Sequence, residues 1–262
     1  MPRVPIGEEE FRLWGPVKPG VARLWLRYYP DESPLYFVHL LRQYLRRGHL
    51  ALDVGAGSGR LFRHGLRGSV KGLFGIDPDE RIAENDQIHA GVVGVAERMP
   101  FRDGSFDVVF GRFVVEHLLD PLGATCEVAR VLRPGGRFLV LAPNRNHYSA
   151  LGSRLTSMWF HRAYMRLLGT RPAAADVHVA HYRMNSKRDI QRICREAGLE
   201  IERLEFKRSP PGYLRFHPLA FLLGTSYERV VEKTLSAARP GIVLVARKPS
   251  PPKSQRTASF DS

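Results

Sequence analysis

The clearest sign of chemistry in the sequence is a run of alternate glycines, Gly55, Gly57 and Gly59, that follows Asp53. The short apolar run at 50–54 leads into these glycines and predicts a buried strand. Glycine has no Cβ and tolerates positive φ, so a ligand can approach the backbone of such a turn closely. In an open α/β sheet this turn lies at the carboxyl edge of the first strand, where ligands bind.

Several kinds of ligand compete for this loop. A phosphate-binding P-loop needs Gly-Lys-Ser/Thr, and the loop contains no lysine. A dinucleotide fingerprint needs a third glycine where this chain has Arg60, whose side chain would obstruct the packing of strand against helix. A glycine turn that binds no ligand is a further alternative. The carboxylate of Asp53 favours a cationic ligand, and S-adenosylmethionine carries an α-ammonium and a sulfonium but no phosphate.

A second carboxylate, Asp77, ends the next predicted strand, 24 residues after Asp53. A carboxylate at this point can accept two hydrogen bonds from vicinal ribose hydroxyls, as it does in dinucleotide sites. The alternative is a negative charge near the N-terminus of a helix that opens at Pro78.

Motifs in a fixed order extend this pattern. They are Asp-Val-Gly-Ala-Gly-Ser-Gly at 53–59, Gly-Ile-Asp at 75–77, Ala-Glu-Arg-Met-Pro-Phe at 96–101 followed by Asp-Gly-Ser-Phe-Asp-Val-Val at 103–109, Glu-His-Leu at 116–118, and Leu-Arg-Pro-Gly-Gly at 132–136. Together they resemble the class I S-adenosylmethionine-dependent methyltransferases, in the branch (methyltransferase type 11) that includes the ubiquinone/menaquinone-biosynthesis C-methyltransferases. The resemblance covers residues 48–145 closely and the final strand loosely. Each motif is weak alone, whereas the ordered set is specific.

The resemblance implies S-adenosylmethionine as the cofactor and gives the residues their roles. Asp77 would hold the ribose, and Pro78 or its neighbour would flank adenine. Backbone carbonyls at 111–112 would receive the α-ammonium, and Arg112 would in addition neutralise the methionine carboxylate, with a surface arginine as an equal alternative. The family often has an acidic residue where this chain has Val95, so adenine would be held by the backbone of the next two residues. The predicted cofactor-binding residues are Asp53, Gly55, Ala56, Gly57, Asp77, Pro78, Ala96, Glu97 and Arg112.

The cofactor motifs contain no obligatory catalytic residue. Methyl transfer from a sulfonium is an in-line displacement, in which alignment and a dry site supply much of the rate. A general base is needed only if the acceptor must lose a proton, and His117, His181 and Tyr182 are weak candidates, with packing as the alternative. No histidine or cysteine spacing typical of a metal site occurs, so we expect no metal.

Strands that alternate with helices predict the architecture that positions these residues. We expect an α/β fold, a doubly wound, Rossmann-like, mostly parallel seven-stranded sheet with helices on both faces. A helical N-terminal cap (1–47) would precede the methyltransferase domain (48–248), which carries an acceptor-side insertion at about 143–185, and 249–262 would be a disordered tail. Strands are predicted at 50–54, 72–77, 91–95, 106–110, 137–142, 199–206 and 241–247. Helices are predicted at 21–29, 35–47, 59–66, 78–89, 149–169, 186–197 and 219–235, and a helical pattern follows the fourth strand through Val131, with Glu116 and His117 on a short helix over the site.

Charge is spread unevenly along the chain, whose formal net charge is +14. Residues 1–145 carry 20 basic and 17 acidic residues, whereas 146–262 carry 20 and 9. A basic half suits an anionic partner, although an arginine-rich solvated surface is an equal alternative. We expect a small or lipid-like acceptor. Contact between an anionic membrane and the segments 151–171 and 213–223 is a hypothesis, and the slightly favoured alternative is that both segments pack on the domain.

Two other classes of function stay open. One is an RNA or other nucleic-acid methyltransferase that uses the basic half, and the other is a non-catalytic protein that keeps the fold. Nucleic acid is the less favoured partner, because the chain reads Gly-Arg-Phe-Val at 111–114 where base amino-methylation needs Asp/Asn-Pro-Pro-Tyr/Phe. With no membrane-length apolar run, no apolar leader and only Cys126 and Cys194, we expect a cytoplasmic protein, peripheral at the inner membrane face under the lipid hypothesis. The methylated atom and the oligomeric state are not predicted.

Overall fold

A computed structural model describes residues 18–30, 35–59, 65–147, 179–234 and 238–250. Its centre is a seven-stranded sheet of order β3-β2-β1-β4-β5-β7-β6. The strands are β1 Leu50–Val54, β2 Gly72–Asp77, β3 Ala90–Val93, β4 Phe106–Arg112, β5 Leu132–Pro143, β6 Glu200–Lys207 and β7 Gly241–Arg247. β1 to β5 pair in parallel, whereas β7 is antiparallel to both of its neighbours. The predicted fold class is confirmed.

The α-helices among the described residues are α1 Pro19–Tyr28, α2 Tyr36–Tyr44, α3 Pro121–Val131, α4 Lys187–Glu196 and α5 Pro218–Thr234. Side chains of α3 and α4 share one hydrophobic core with the sheet, and side chains of α2 share a second core with it. α1 packs on α5 instead, where Val21, Trp25 and Tyr29 surround Phe221. These helices begin and end within a few residues of the predictions at 21–29, 35–47, 186–197 and 219–235.

Local chemistry accounts for the ends of these elements. α4 begins after Ser186, whose Oγ accepts the N–H of Asp189 (3.2 Å), so Ser186 is confirmed as the N-cap. The Ser186 hydroxyl in turn donates to the Asp189 carboxylate. α3 begins with a proline after Asp120, whose Oδ1 accepts the N–H of Gly123 (2.9 Å). β1 is buried from its second residue onward, as expected of a parallel strand that is covered on both faces.

Two of the predicted helices are wrong. The helix at 78–89 is only a 3₁₀ turn, Glu80–Glu84, and Asp79 rather than Pro78 caps it. The turn stops at Asn85, where the backbone extends (φ −75°, ψ 101°), because the Asn85 side chain binds carbonyls of the glycine loop. Residues 115–117 form a hydrogen-bonded turn rather than a helix, after Phe113 reverses the chain with a φ of 57°.

Other sequence predictions are not tested by the structure. The helix at 149–169 and most of the helix at 59–66 lie outside the described residues, as does most of the tail at 249–262. The domain boundaries at 47 and 248 stay predictions.

The register of the parallel strands positions the site. Val54 of β1 pairs with Ile76 of β2 on one side and with Gly111 of β4 on the other. Asp77 of β2 pairs in turn with Val93 of β3. The loops that follow β1, β2, β3 and β4 therefore meet at one edge of the sheet, and the predicted site residues lie on these loops and strand ends.

Candidate cofactor site

The loop after β1 is shaped by glycines in the left-handed region, with φ of +74° at Gly55, +50° at Gly57 and +71° at Gly59. A Cβ at Gly55 would overlap the side chain of Val114, and one at Gly59 would overlap the amide of Asn85. A Cβ at Gly57 would have Asp77 Oδ2 as its nearest neighbour, 3.9 Å away. Both ends of the loop are therefore tightly packed, while its middle has room beside Asp77.

Asp77 joins the glycine loop to the end of β2. Its Oδ2 accepts the N–H of Gly57 (2.9 Å), and its Oδ1 accepts the N–H of Asp79 (2.9 Å). Each carboxylate oxygen has a second lone pair, so both can still accept hydroxyl donors from a ligand. The alternative role, a charge that caps the following helix, falls to Asp79, which accepts the N–H of Arg81 (2.9 Å).

Asn85 is a site-forming residue that the sequence reasoning missed. Its side chain is buried, and its Nδ2 donates to the carbonyl oxygens of Ala56 and Gly57, both at 3.0 Å. Its Oδ1 accepts the N–H of Gln87 (2.9 Å). Asn85 thereby fixes the main chain of the loop through its carbonyl groups, and no motif in the sequence marks this residue.

The loop after β3 carries the residues predicted to surround adenine. Ala96 is buried and Glu97 half-buried, whereas Pro78 and Val95 are exposed. The N–H of Gly94 donates to the carbonyl of Asp77 (3.0 Å), which ties this loop to the end of β2. The predicted adenine residues are thus adjacent to the predicted ribose residue.

The sequence reasoning also missed a set of contacts between α3 and the loop after β3. Glu127 of α3 accepts the N–H of Met99 (2.7 Å), and Arg130 donates to the carbonyls of Met99 (2.9 Å) and Phe101 (2.7 Å). Glu127 and Arg130 also form an ion pair with a 2.7 Å contact. The hydrogen bond from Arg130 is the main cause that lowers the pKa of Glu127.

Three ionisable side chains lie where β1 and β4 end. Asp53 is buried in β1, Arg112 is partly buried at the end of β4, and Glu116 is buried in the turn that follows. Burial lowers the pKa of Arg112 to about 10, although both carboxylates oppose this shift. Burial also raises the pKa of Glu116 to about 8, against the effects of its own backbone N–H and of Arg112. Arg112 is therefore part of a buried charge cluster, and the surface-arginine alternative does not describe it.

The weak catalytic candidates come together beside this cluster. The N–H groups of His181 (2.6 Å) and Tyr182 (3.0 Å) both donate to the carbonyl oxygen of Glu116. Nδ1 of His117 lies 2.9 Å from the carbonyl oxygen of Val179, so this nitrogen carries the proton. The segment predicted to face the acceptor therefore docks on the turn after β4.

Within the described ranges, no group of three or more histidine, cysteine, aspartate or glutamate side chains is placed to hold a metal ion. None of the helices in the described part of the chain is both long and apolar enough to cross a membrane.

Comparison with known proteins identifies a protein family that matches this region of the chain. Residues 52–140 match the family model described as a methyltransferase domain. Residues 52–140 therefore carry a methyltransferase domain. This methyltransferase domain accounts for the glycine loop, Asp77 and the loop after β3, which all lie inside the matched region.

Individual relatives are similar over parts of the chain. The C-methyltransferase UbiE of ubiquinone/menaquinone biosynthesis in Idiomarina loihiensis is 32% identical over 47% of this chain and 49% of that protein. The ubiquinone biosynthesis O-methyltransferase of Thiobacillus denitrificans is 28% identical over 70% of this chain and 81% of that protein. The chain spans about half the length of the UbiE relatives that it matches.

A solved S-adenosylmethionine-dependent methyltransferase from Methanosarcina mazei superposes with a TM-score of 0.52. The superposition covers 81% of this chain and 98% of that chain at 18% identity, and it shows the fold.

The residues present fit S-adenosylmethionine, the cofactor of this domain type. The room beside Gly57 and the spare lone pairs of Asp77 suit a ribose, while Asp53 supplies negative charge beside the basic group of Arg112 and Glu116 adds a second carboxyl group. The cofactor itself carries two cationic groups and one carboxylate in its methionine part, which matches this arrangement of charges.

Proposed function

We propose that the protein transfers a methyl group from S-adenosylmethionine to a small or lipid-like acceptor. The observation that carries the proposal is the 2.9 Å hydrogen bond between Asp77 and the N–H of Gly57, inside the matched methyltransferase domain. This bond holds the Asp77 carboxylate, which can accept further hydrogen bonds, next to a part of the backbone that a ligand can reach. Asp77 would hold the ribose, the loop at 55–57 would contact the methionine part, and Arg112 would pair with its carboxylate.

The residues of this chain act by orientation and desolvation. When bound, S-adenosylmethionine supplies an electrophilic methyl group on a cationic sulfur. Water stabilises that concentrated charge better than the dispersed charge of the transition state, so a site that excludes water favours transfer. The turn after β4 and the docked segment 179–183 would cover the site and align the acceptor with the methyl group.

A lipid-like acceptor is supported by the relatives, both of which are named for the biosynthesis of ubiquinone, a lipid. One relative is named as a C-methyltransferase and the other as an O-methyltransferase. The proposal therefore includes methylation at carbon and methylation at oxygen. A nucleic-acid acceptor and a non-catalytic protein are the outcomes against which the proposal is tested.

A radiolabelled transfer assay separates these outcomes. The protein is incubated with S-adenosylmethionine labelled in its methyl group and with lipid, aqueous and RNA fractions of a cell extract. We expect protein-dependent label in the lipid fraction or in small molecules of the aqueous fraction, and none with the Asp77→Ala variant. Label in RNA would contradict the acceptor class, and no label in any fraction would favour a non-catalytic protein.

The outer face of α5 supports contact with lipid. Leu219, Leu223, Tyr227 and Val230 have exposed fractions of 65%, 73%, 43% and 60%, and their spacing places them along one side of the helix. The buried face of α5, with Phe221, packs on α1. Arg27 and Arg229 both lie over the ring of Tyr28, with guanidinium carbons 5.7 and 4.8 Å from its centroid.

We propose that this apolar stripe and the arginines beside it contact an anionic membrane surface. This surface overlaps the predicted segment 213–223 in part, since Leu219 and Leu223 are exposed but Phe221 is buried. The other segment, 151–171, lies outside the described residues.

Sedimentation with vesicles tests this surface. We expect the protein to pellet with phosphatidylglycerol vesicles but not with neutral phosphatidylcholine vesicles, and to pellet less as salt increases, because salt screens the attraction. The double variant Leu219→Asp, Leu223→Asp is expected to lose most of this pelleting. Leu119→Asp is a matched control, because Leu119 is 60% exposed but lies outside α5. Pelleting that depends neither on the charge of the lipid nor on the α5 substitutions would exclude this surface as the membrane contact.

A further inference from the structure

Glu116 is a buried carboxyl group whose environment is unusual. Its side chain is 5% exposed, and its Oε2 atom has no hydrogen-bond partner in the described part of the chain. Buried polar side-chain atoms normally have a hydrogen-bond partner, because burial without one costs free energy. A buried carboxyl oxygen without a hydrogen-bond partner indicates that a bound ligand supplies the missing partner.

The position of Glu116 connects the two halves of the site. Val114, two residues earlier in the same turn, lies against Gly55 so closely that a Cβ on the glycine would overlap it. The carbonyl oxygen of Glu116 accepts the N–H groups of His181 and Tyr182. The turn that carries Glu116 is therefore held between the glycine loop and the acceptor-side segment.

The order of the strands shows which end of the cofactor would reach this turn. The predicted adenine residues follow β3, the ribose residue ends β2, the glycine loop follows β1, and the turn with Glu116 follows β4. These strands are neighbours in that order. A cofactor with its ribose at Asp77 and its adenine at the β3 loop would thus direct its methionine part, and its sulfonium, toward β4.

We propose that Glu116 accepts the proton that the methyl acceptor loses, and that the sulfonium of the bound cofactor holds the Glu116 carboxyl group in its ionised form. The proposal rests on the proposed methyl transfer. It narrows the acceptor to molecules that carry an acidic O–H, N–H or C–H at the methylated atom.

The step is balanced in atoms and electrons. The acceptor atom forms a bond to the methyl carbon while the carbon–sulfur bond breaks, and the electron pair of that bond stays on sulfur. The proton of the acceptor passes to Oε2 of Glu116. A sulfonium beside a carboxylate thus becomes a neutral thioether beside a neutral carboxylic acid, so no net charge is left in a buried site.

The electrostatics of the free protein agree with this role. Burial raises the pKa of Glu116 to about 8, so its carboxyl group is mainly protonated at neutral pH. An opposite charge nearby lowers the pKa of a carboxyl group by about 1–3 units, so a sulfonium would release the proton and prepare the base. Among the described residues, the other charged or titratable groups around the turn are Asp53 and Arg112 at the strand ends, His117 on the turn, and His181, Tyr182 and Arg183 on the docked segment, where Arg183 donates to the carbonyl of Leu119 (2.6 Å).

Proton release on cofactor binding tests the proposal without any knowledge of the acceptor. S-adenosylhomocysteine differs from S-adenosylmethionine in lacking the methyl group and the sulfonium charge. Calorimetric titrations at pH 7 in buffers with different ionisation enthalpies count the protons released by each ligand. If the sulfonium lowers the pKa of Glu116 by about 2 units, S-adenosylmethionine should release about 0.8 proton and S-adenosylhomocysteine almost none.

The same shift makes the affinity for S-adenosylmethionine depend on pH. Since the cofactor favours the deprotonated group, its Kd should fall by about 25-fold between pH 6 and pH 8, while the Kd of S-adenosylhomocysteine stays nearly constant. Glu116→Gln should remove both the proton release and this pH dependence. Glu116→Asp keeps a carboxyl group at the same turn and should retain both. His117→Gln and His181→Gln should also retain both, which separates Glu116 from the histidines beside it.

The possible failures are distinguishable. If S-adenosylmethionine binds but releases no more protons than S-adenosylhomocysteine, or if Glu116→Gln leaves the release unchanged, the role of Glu116 is wrong and the proposed methyl transfer stands. If the wild-type protein binds neither ligand, the proposed function fails first. Circular dichroism of each variant shows that a lost signal does not come from unfolding.

Discussion

Asp77→Ala is expected to weaken the binding of S-adenosylmethionine by about 100-fold or more. The substitution removes two hydrogen bonds from ribose hydroxyls to a charged acceptor, each worth about 1.5–3 kcal/mol. It also removes the acceptor of the Gly57 N–H (2.9 Å), so the middle of the glycine loop loses its support. Isothermal titration calorimetry of the wild type and the variant measures the change directly.

Asp79→Ala is the matched control for this prediction. Asp79 is the next carboxylate along the chain, but it pairs with Arg81 and caps the 3₁₀ turn instead of contacting the glycine loop. We expect the Kd of Asp79→Ala to stay within about threefold of the wild-type value, since a surface ion pair contributes little. Equal losses in both variants would point to a general structural defect. Wild-type affinity in Asp77→Ala would place the ribose elsewhere.

Gly55→Ala is expected to lower the free energy of unfolding by about 3 kcal/mol, through backbone strain and the collision of its Cβ with Val114. Gly55 has φ +74°, and the overlap involves a branched side chain in the turn after β4. Because the glycine loop and that turn would move apart, the variant should also lose cofactor binding. Urea denaturation gives the stability change.

Gly104→Ala separates strain from collision. Gly104 has a similar φ of +60°, but a Cβ there would meet no atom within 4 Å. Its substitution should therefore cost only about 1 kcal/mol, the strain of a left-handed residue that has a Cβ. If both alanine variants lose the same stability, the close contact between Gly55 and Val114 does not matter energetically.

The sequence predicts well those parts of the fold that depend on residues close together in the chain. β1, β2 and β7 begin and end at the predicted residues, because each is an apolar run bounded by glycine, aspartate or a charged residue. The start of α4 is also local, since Ser186 and Asp189 form the cap by themselves. The glycine loop is predictable for the same reason.

Contacts between distant parts of the chain were beyond prediction. Asn85 binds carbonyls 28 and 29 residues away, and this contact ends the helix that the sequence predicts through residue 89. The support of the β3 loop by Glu127 and Arg130 spans 28 to 31 residues. Nothing in the local sequence of these residues distinguishes them from ordinary polar residues.

The choice between His117 and Glu116 as proton acceptor illustrates the same limit. Histidine is the natural candidate by residue type, because its ordinary pKa lies near neutral pH. Burial raises the pKa of Glu116 to about 8, which makes this carboxyl group a second candidate, while Nδ1 of His117 is engaged with the carbonyl of Val179. Burial is a property of the folded chain, so residue type alone could not identify Glu116.

The most direct test of the central claim is a crystal structure of the protein with S-adenosylhomocysteine. We expect both ribose hydroxyls within hydrogen-bond distance of Asp77, adenine against the loop at 95–99, and the thioether sulfur facing the turn that carries Glu116. A ligand that binds away from the carboxyl edge of β1 and β2, or density that shows no ligand at saturating concentration, would contradict the assignment of this edge as a methyl-donor site.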